Sequence, residues 1–203
     1  MSVSNADKPV EKQNDQLENK KLILSYLRDM VTLIAGILLI FSLCLRVVVV
    51  SGPSMNNTLY DGDWLVVLGN VFYREPKKGD IVVVSKDAFD NGTPIIKRII
   101  ATEGQTVDVD FSAGVVYVDG VALEEPYTLT PTNLAEGVPL PVVVSEGSYF
   151  VMGDNRNASK DSRSIEIGLV DEREILGRAM FLIFPGTNKG AVARNFSRMG
   201  VLS

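Results

Sequence analysis

Hydrophobic positions divide the chain into two regimes. From Leu22 onward apolar residues run with little interruption, and residues 30–45 carry no charge. After Val50 the pattern breaks into short β-branched runs separated by Gly, Asp and Pro. The first regime predicts a transmembrane anchor over 22–46, with Arg28, Asp29 and Arg46 near its ends, where long side chains reach the interface. A cleavable secretory leader has a similar shape, but the exit here is Arg46 followed by valines at 47–50, without a small-x-small pattern. Lys20, Lys21 and Arg28 favour a cytoplasmic N-terminus, a bias that Arg46 weakens. Residues 1–21 are polar, of mixed charge and without a hydrophobic period, so a disordered cytoplasmic tail is expected there.

The second regime predicts a β-rich domain over 47–186. Runs 64–68 and 81–84 each follow a Gly-Asp turn, and 95–100 is a further strand. Runs 106–110 and 115–118 read as a hairpin, and Asp119-Gly120 leads into 121–123. Strands at 142–144, 149–152 and 179–184 complete the set. A surface loop is expected over 126–141 and one short helix over 171–176. No βαβ rhythm is present, so the expected fold is mostly β and not doubly wound. Residues 187–203 read as a polar tail too short for a second span.

Composition narrows the chemistry. The chain of 203 residues contains no histidine, which removes the Ser-His-Asp triad, the Cys-His pair and His-based metal sites. Its one cysteine, Cys44, lies in the apolar run, where the thiolate is disfavoured and no intrachain disulfide can form. A net charge of -5 gives no broad basic surface for nucleic acid. No metal or cofactor is expected.

Three clusters remain. Residues 51–59 place Ser54 after a Gly-Pro turn, suited to exposing a nucleophile. In the run 95–100, strand alternation sets Lys97 between Ile95 and Ile99, and desolvation there penalises an ammonium and so lowers its pKa. Residues 152–163 pack Asp, Asn, Arg and Ser so densely that a buried hydrogen-bonded loop fits better than a strand. Taken singly, each has an ordinary alternative: a loop serine, an edge-strand lysine reaching for water, a solvated loop.

Taken together and in order, these segments resemble the bacterial type I signal peptidases, Ser-Lys enzymes that remove signal peptides from exported proteins. Ser-Gly-Pro-Ser-Met-x-x-Thr-Leu with Asp-Gly-Asp after it resembles the family's serine box, and Ile-Lys-Arg-Ile-Ile its lysine box. Lys-Lys-Gly-Asp-Ile-Val-Val-Val resembles a strand box between them, and Gly-Asp-Asn-Arg-x-x-Ser-x-Asp-Ser-Arg the final box. Two readings compete with this one: a self-cleaving repressor of the Ser-Lys type, and an inactive membrane-tethered β module.

The resemblance implies a compact all-β catalytic domain behind a single anchor in the bacterial cell membrane. Its partners would be signal peptides of preproteins, the lipid bilayer and the export machinery. Cleavage would follow small-x-small (Ala-x-Ala) motifs. Ser54 would be the nucleophile and Lys97 the general base, with Ser159 orienting the lysine. Asp161 and Arg163 would support that loop, and Asp154 would pair with Arg98. Ser54 and Gly52 would form the oxyanion site, although many family members carry a serine at the position of Gly52. Val48, Val50, Met55, Leu59, Ile95 and Ile96 match substrate-pocket positions or adjoin the dyad. Ser54 follows Leu45 so closely that the intervening chain spans at most about 30 Å.

Overall fold

The computed structural model describes residues 8–187 and 193–202. Contacts divide the chain into two units, residues 1–43 and 44–203.

The first unit is one helix, α1 (Lys8–Cys44). Its segment Glu18–Ser42 is long and apolar enough to cross a membrane. The helix starts well before the expected anchor. Residues 1–7 of the anticipated disordered tail lie outside the described residues, and 8–21 are helical. The physical reason is composition, because Glu, Lys, Gln and Leu dominate 11–21 and are good helix formers even without an apolar face. At the other end, Leu45 and Arg46 do not belong to the helix. They open β1 (Leu45–Val49), a strand missing from the sequence reading. Its valines favour extended backbone, and the run finds a partner in β2 (Trp64–Gly69), with Val47 opposite Val66.

The second unit is built on an antiparallel sheet. After β1 and β2 come β3 (Ile81–Val84), β4 (Ile95–Ala101), β5 (Thr106–Asp110), β6 (Val115–Val118), β7 (Val121–Ala122) and β8 (Val142–Val143). Then follow β9 (Ser148–Met152), β10 (Val170–Asp171), β11 (Ile175–Phe184) and β12 (Gly200–Val201). The main sheet runs β1-β2-β11-β3-β4-β9-β10, with β12 beside β11. A smaller sheet runs β7-β6-β5-β8. Strand β3 is buried at every position, which explains its continuous apolar run. Ile81 and Val83 enter one core cluster with Ile96, whereas Val82 and Val84 enter another with Ile99 and Val151. The hairpin of β5 and β6 instead alternates, burying Val107, Val109, Val116 and Val118 while Asp108 and Asp110 face water.

One further expectation changes, and the C-terminal tail gains detail. The helix anticipated over 171–176 is a single 3-10 turn, Glu172–Glu174. Asp171 and Glu174 close it as a reciprocal cap, and β11 then begins at Ile175, earlier than the expected 179. The polar tail after residue 186 carries structure where it is described. A 3-10 turn, Phe196–Arg198, leads into β12, which pairs Val201 with Phe181.

At Gly177, β11 faces Leu68 so closely that any added Cβ would collide with the Leu68 carbonyl. Gly177→Ala should therefore destabilise the domain by about 2 kcal/mol, as overpacking of a fixed backbone does. Urea unfolding of the full chain in detergent measures this, and unchanged stability would contradict the packing described.

Candidate active site

The serine loop hangs between β1 and β2 from a closed neck. Val50 N–H donates to the Asp63 carbonyl at 2.8 Å, and Gly62 N–H donates to the Val50 carbonyl at 2.9 Å. Inside the neck, Gly52 takes φ +87, a left-handed conformation that glycine tolerates, and its N–H donates to Asp61 Oδ1 at 2.9 Å. A tight turn follows, with Asn56 N–H on the Pro53 carbonyl at 3.1 Å and Leu59 N–H on the Met55 carbonyl at 2.8 Å. Met55 and Leu59 are buried and pin this turn to the core. Ser54 is lifted between them, half-buried. Asn155 clamps it from the other side: its N–H donates to the Ser54 carbonyl at 3.0 Å and its Nδ2 to the Pro53 carbonyl at 3.1 Å.

Lys97 lies in β4 opposite Val82, and the ladder with β9 stops one residue short of it, at Arg98 and Met152. The residue is 3% exposed. Nζ donates to Ser54 Oγ at 3.1 Å and to the Ile96 carbonyl at 3.1 Å. Burial is the main influence on its charge and lowers its pKa to about 8 from an ordinary 10.5. The carboxylates of Asp161, Glu136 and Asp154 pull the other way, and Arg163 assists the burial. A lysine nitrogen with an available lone pair near neutrality, within hydrogen-bond reach of a hydroxyl, can act as a base toward it.

The acids around the lysine are held by arginines. Arg163 forks onto Asp161, with Nε on Oδ1 at 2.8 Å and Nη2 on Oδ2 at 2.8 Å. Arg98 forks onto Asp154 through Nε at 3.0 Å and Nη2 at 2.9 Å. Arg156 forks onto Glu125 and also donates to Thr132 Oγ1 at 2.8 Å. All three guanidinium groups are buried. Bidentate pairing satisfies charges that would otherwise be costly in a dry interior. Loss of one partner of such a pair strands the other. Glu136 is the looser acid: it accepts from Asp161 N–H at 3.4 Å, and burial with Asp161 nearby holds its carboxyl above the ordinary value. Among the described residues no group of three or more His, Cys, Asp or Glu is arranged to hold a metal.

The residues singled out in the sequence meet here with three changes. Ser159 does not bond to Lys97. Its hydroxyl donates to Asp161 Oδ2 at 3.0 Å, because Asp161 sits on its own loop and Lys97 is already turned to Ser54. Ser159 and Ser54 meet at Gly153, where an added Cβ would strike the Ser159 side chain and the Ser54 carbonyl. Gly52 does not supply a free N–H, since Asp61 holds it, yet nothing lies within 4 Å of where its Cβ would stand. The Ser54 N–H makes no hydrogen bond within the described residues. Of the pocket candidates, Val50, Met55, Leu59 and Ile96 share one cluster, with Val48 packed against it. Ile95 does not join them; alternation turns it to the cluster of Val82 and Ile99.

Four contributors escaped the sequence reading. Asn155 and Arg156 lay inside the quoted final box and could have been found there. Glu125 and Glu136 gave no local signal, because their roles depend on how the loop over 126–141 folds back, with Gly137 bridging Ser164.

Comparison with known proteins bears on the same residues. A family model described as signal peptidase, peptidase S26, matches residues 23–184. The chain is 35% identical over 174 residues to a signal peptidase I of Bacillus licheniformis, covering 82% of this chain and 91% of that one. It is 40% identical over 149 residues to a probable signal peptidase I-1 of Synechocystis, covering 70% and 72%. It is also 40% identical over 144 residues to signal peptidase I T of Bacillus subtilis, covering 67% and 72%. A crystal structure of a signal peptidase I from Enterococcus faecalis aligns with a TM-score of 0.43 at 28% identity, over 52% of this chain and 97% of that one.

The buried lysine has a stability signature. Below pH 8 the folded state must bury an ammonium; between about 8 and 10.5 it alone is neutral, so stability rises with pH through that window. Lys97→Met should thus gain up to about 3 kcal/mol at pH 7, and the gain should vanish near pH ~11. Denaturant unfolding of both proteins across pH measures this, and a less stable Met variant at pH 7 would contradict it.

Proposed function

The chain belongs to the signal peptidase family, peptidase S26, and on that basis we propose that it is a membrane-anchored serine endopeptidase that removes N-terminal signal peptides from exported preproteins. Ser54 is the nucleophile and Lys97 the general base. The observation that carries this reading is the 3.1 Å hydrogen bond from Lys97 Nζ to Ser54 Oγ at a lysine whose pKa burial lowers to about 8.

The geometry suggests the order of events. Lys97 takes the Ser54 proton as Oγ attacks the scissile carbonyl, and returns it to the leaving amine. It next draws a proton from the water that hydrolyses the acyl-enzyme. The Ser54 N–H is placed on the nucleophile's own residue to meet the developing oxyanion. Asp154, Asp161, Ser159, Arg98 and Arg163 act as organisers, since an amine base needs no carboxylate for this chemistry. Val48, Val50, Met55, Leu59 and Ile96 supply an apolar floor beside the nucleophile, which suits small residues before the cut.

The anchor fits the same reading. Helix α1 carries its basic residues Lys20, Lys21 and Arg28 on the N-terminal side, which favours a cytoplasmic N-terminus and an extracytoplasmic catalytic domain. Strand β1 starts at Leu45, directly after the helix, so the serine loop follows the membrane segment within one strand length.

Cleavage of a preprotein bearing an Ala-x-Ala site tests the assignment. Ser54→Ala and Lys97→Ala should each lower turnover by at least about 10³-fold with the fold retained. In the wild type, activity should rise with pH through a midpoint near about 8, as Lys97 loses its proton. Near-normal turnover in either variant, or an acidic limb centred near ~10.4, would sink the dyad.

A further inference from the structure

Residues 193–202 lie beyond the segment that matches the family model, which ends at 184, yet they reach the serine loop. The 3-10 turn Phe196–Arg198 is capped by Asn195, whose side chain accepts from Ser197 N–H at 3.0 Å. Beyond it β12 pairs with β11, and Leu202 N–H donates to the Met180 carbonyl at 2.9 Å. Arg198 is therefore presented from a segment fastened on both sides.

Its guanidinium binds the neck of the serine loop. Nη1 donates to Asp63 Oδ1 at 3.0 Å and Nη2 to Asp63 Oδ2 at 2.6 Å. Nη2 also donates to the Thr58 carbonyl at 3.0 Å, and the group lies 4.3 Å from the centre of the Tyr60 ring. Asp63 is fully buried and accepts in addition from Tyr60 N–H at 2.8 Å and Gly186 N–H at 2.6 Å. Thr58 is held from its other end, where its hydroxyl donates to Asp154 Oδ2. Tyr60 and Asp61 line a cavity of about 300 Å³ beside Gly52 and Pro53.

We infer that Arg198 is a positioning residue for Ser54: it fixes the turn from Thr58 to Asp63 so that the serine, its N–H and the neighbouring cavity keep one alignment. This rests on Ser54 being the nucleophile. The loop has two clamps, Asn155 on the Ser54 side and Arg198 on the neck side, and only the first lies within the family boxes. A planar fork that meets both carboxylate oxygens, one carbonyl and an aromatic face sets direction as well as distance, which a lysine cannot reproduce. Small misplacements of a nucleophile are expensive in rate, with about 1 Å costing up to about 10²-fold.

The test uses the full chain in detergent with Arg198→Ala and Arg198→Lys. The readouts are kcat and KM on a preprotein and amide hydrogen exchange across residues 52–63. The Ala variant should lose about ten- to a hundredfold in kcat with KM nearly unchanged. Exchange at Tyr60 and Gly62 should accelerate, the acidic limb should keep its midpoint, and Lys should recover part of kcat. Faster exchange with wild-type kcat in the folded Ala variant would overturn the inference and leave Arg198 a fastening alone. If the Ala variant does not fold, the Lys variant decides: reduced kcat at constant KM supports the inference, and wild-type kcat overturns it. Failure of the wild type to cleave any preprotein would overturn the proposed function instead. The exchange arm would then still judge the clamp, with unchanged rates counting against it.

Discussion

The site depends on keeping one amine dry while holding it 3.1 Å from a serine hydroxyl. These demands conflict, because an ammonium in an apolar interior seeks either water or a carboxylate. The fold resolves the conflict by placing acids near Lys97 but giving Asp161, which pulls on it most strongly, and Asp154 an arginine fork each. Their attraction for the lysine is thereby blunted, and burial decides its charge. A carboxylate at either position without its arginine would pull harder on Lys97 and raise its pKa.

The same forks explain why the loop over 152–163 can be buried despite its polarity. Arg163 also donates to the Leu134 and Arg156 carbonyls, and Arg156 to the Gly153 carbonyl, so guanidinium groups satisfy backbone that forms neither helix nor sheet. The loop is a hydrogen-bonded scaffold with Asn155 at its tip, and that tip grips the serine turn. Gly153 is required because two catalytic-side elements approach its Cα from the position a side chain would occupy. Ser159 fits this picture as part of the scaffold, with its hydroxyl on Asp161.

Much of this was legible in the residues, and the failures have physical causes. The approach of Lys97 to Ser54 and both arginine pairs are legible because their residues sit in short, distinctive segments of the sequence. The strand at 45–49 was missed because its valines continue an apolar run, and hydrophobicity alone does not separate a membrane segment from the strand that leaves it. The placement of Ile95 with the pocket failed because adjacent residues on a strand face opposite sides. Glu125, Glu136 and Arg198 were invisible for a different reason: each meets its partner across a long stretch of sequence, through loops whose paths no local pattern encodes. The polar composition of the tail gives no sign of its contacts, yet Asn195, Arg198 and Leu202 each find a specific partner.

The central claim is that the fold lowers the pKa of Lys97 to about 8, so that a working fraction of neutral amine exists near physiological pH. The most direct measurement is an NMR titration of the lysine side chains, isotope-labelled at Cε, in the full chain in detergent, with Lys97→Met assigning the resonance. Lys97 should titrate near about 8, well below the ordinary lysine value of ~10.4. A Lys97 resonance that stays protonated through pH ~10 would contradict the account.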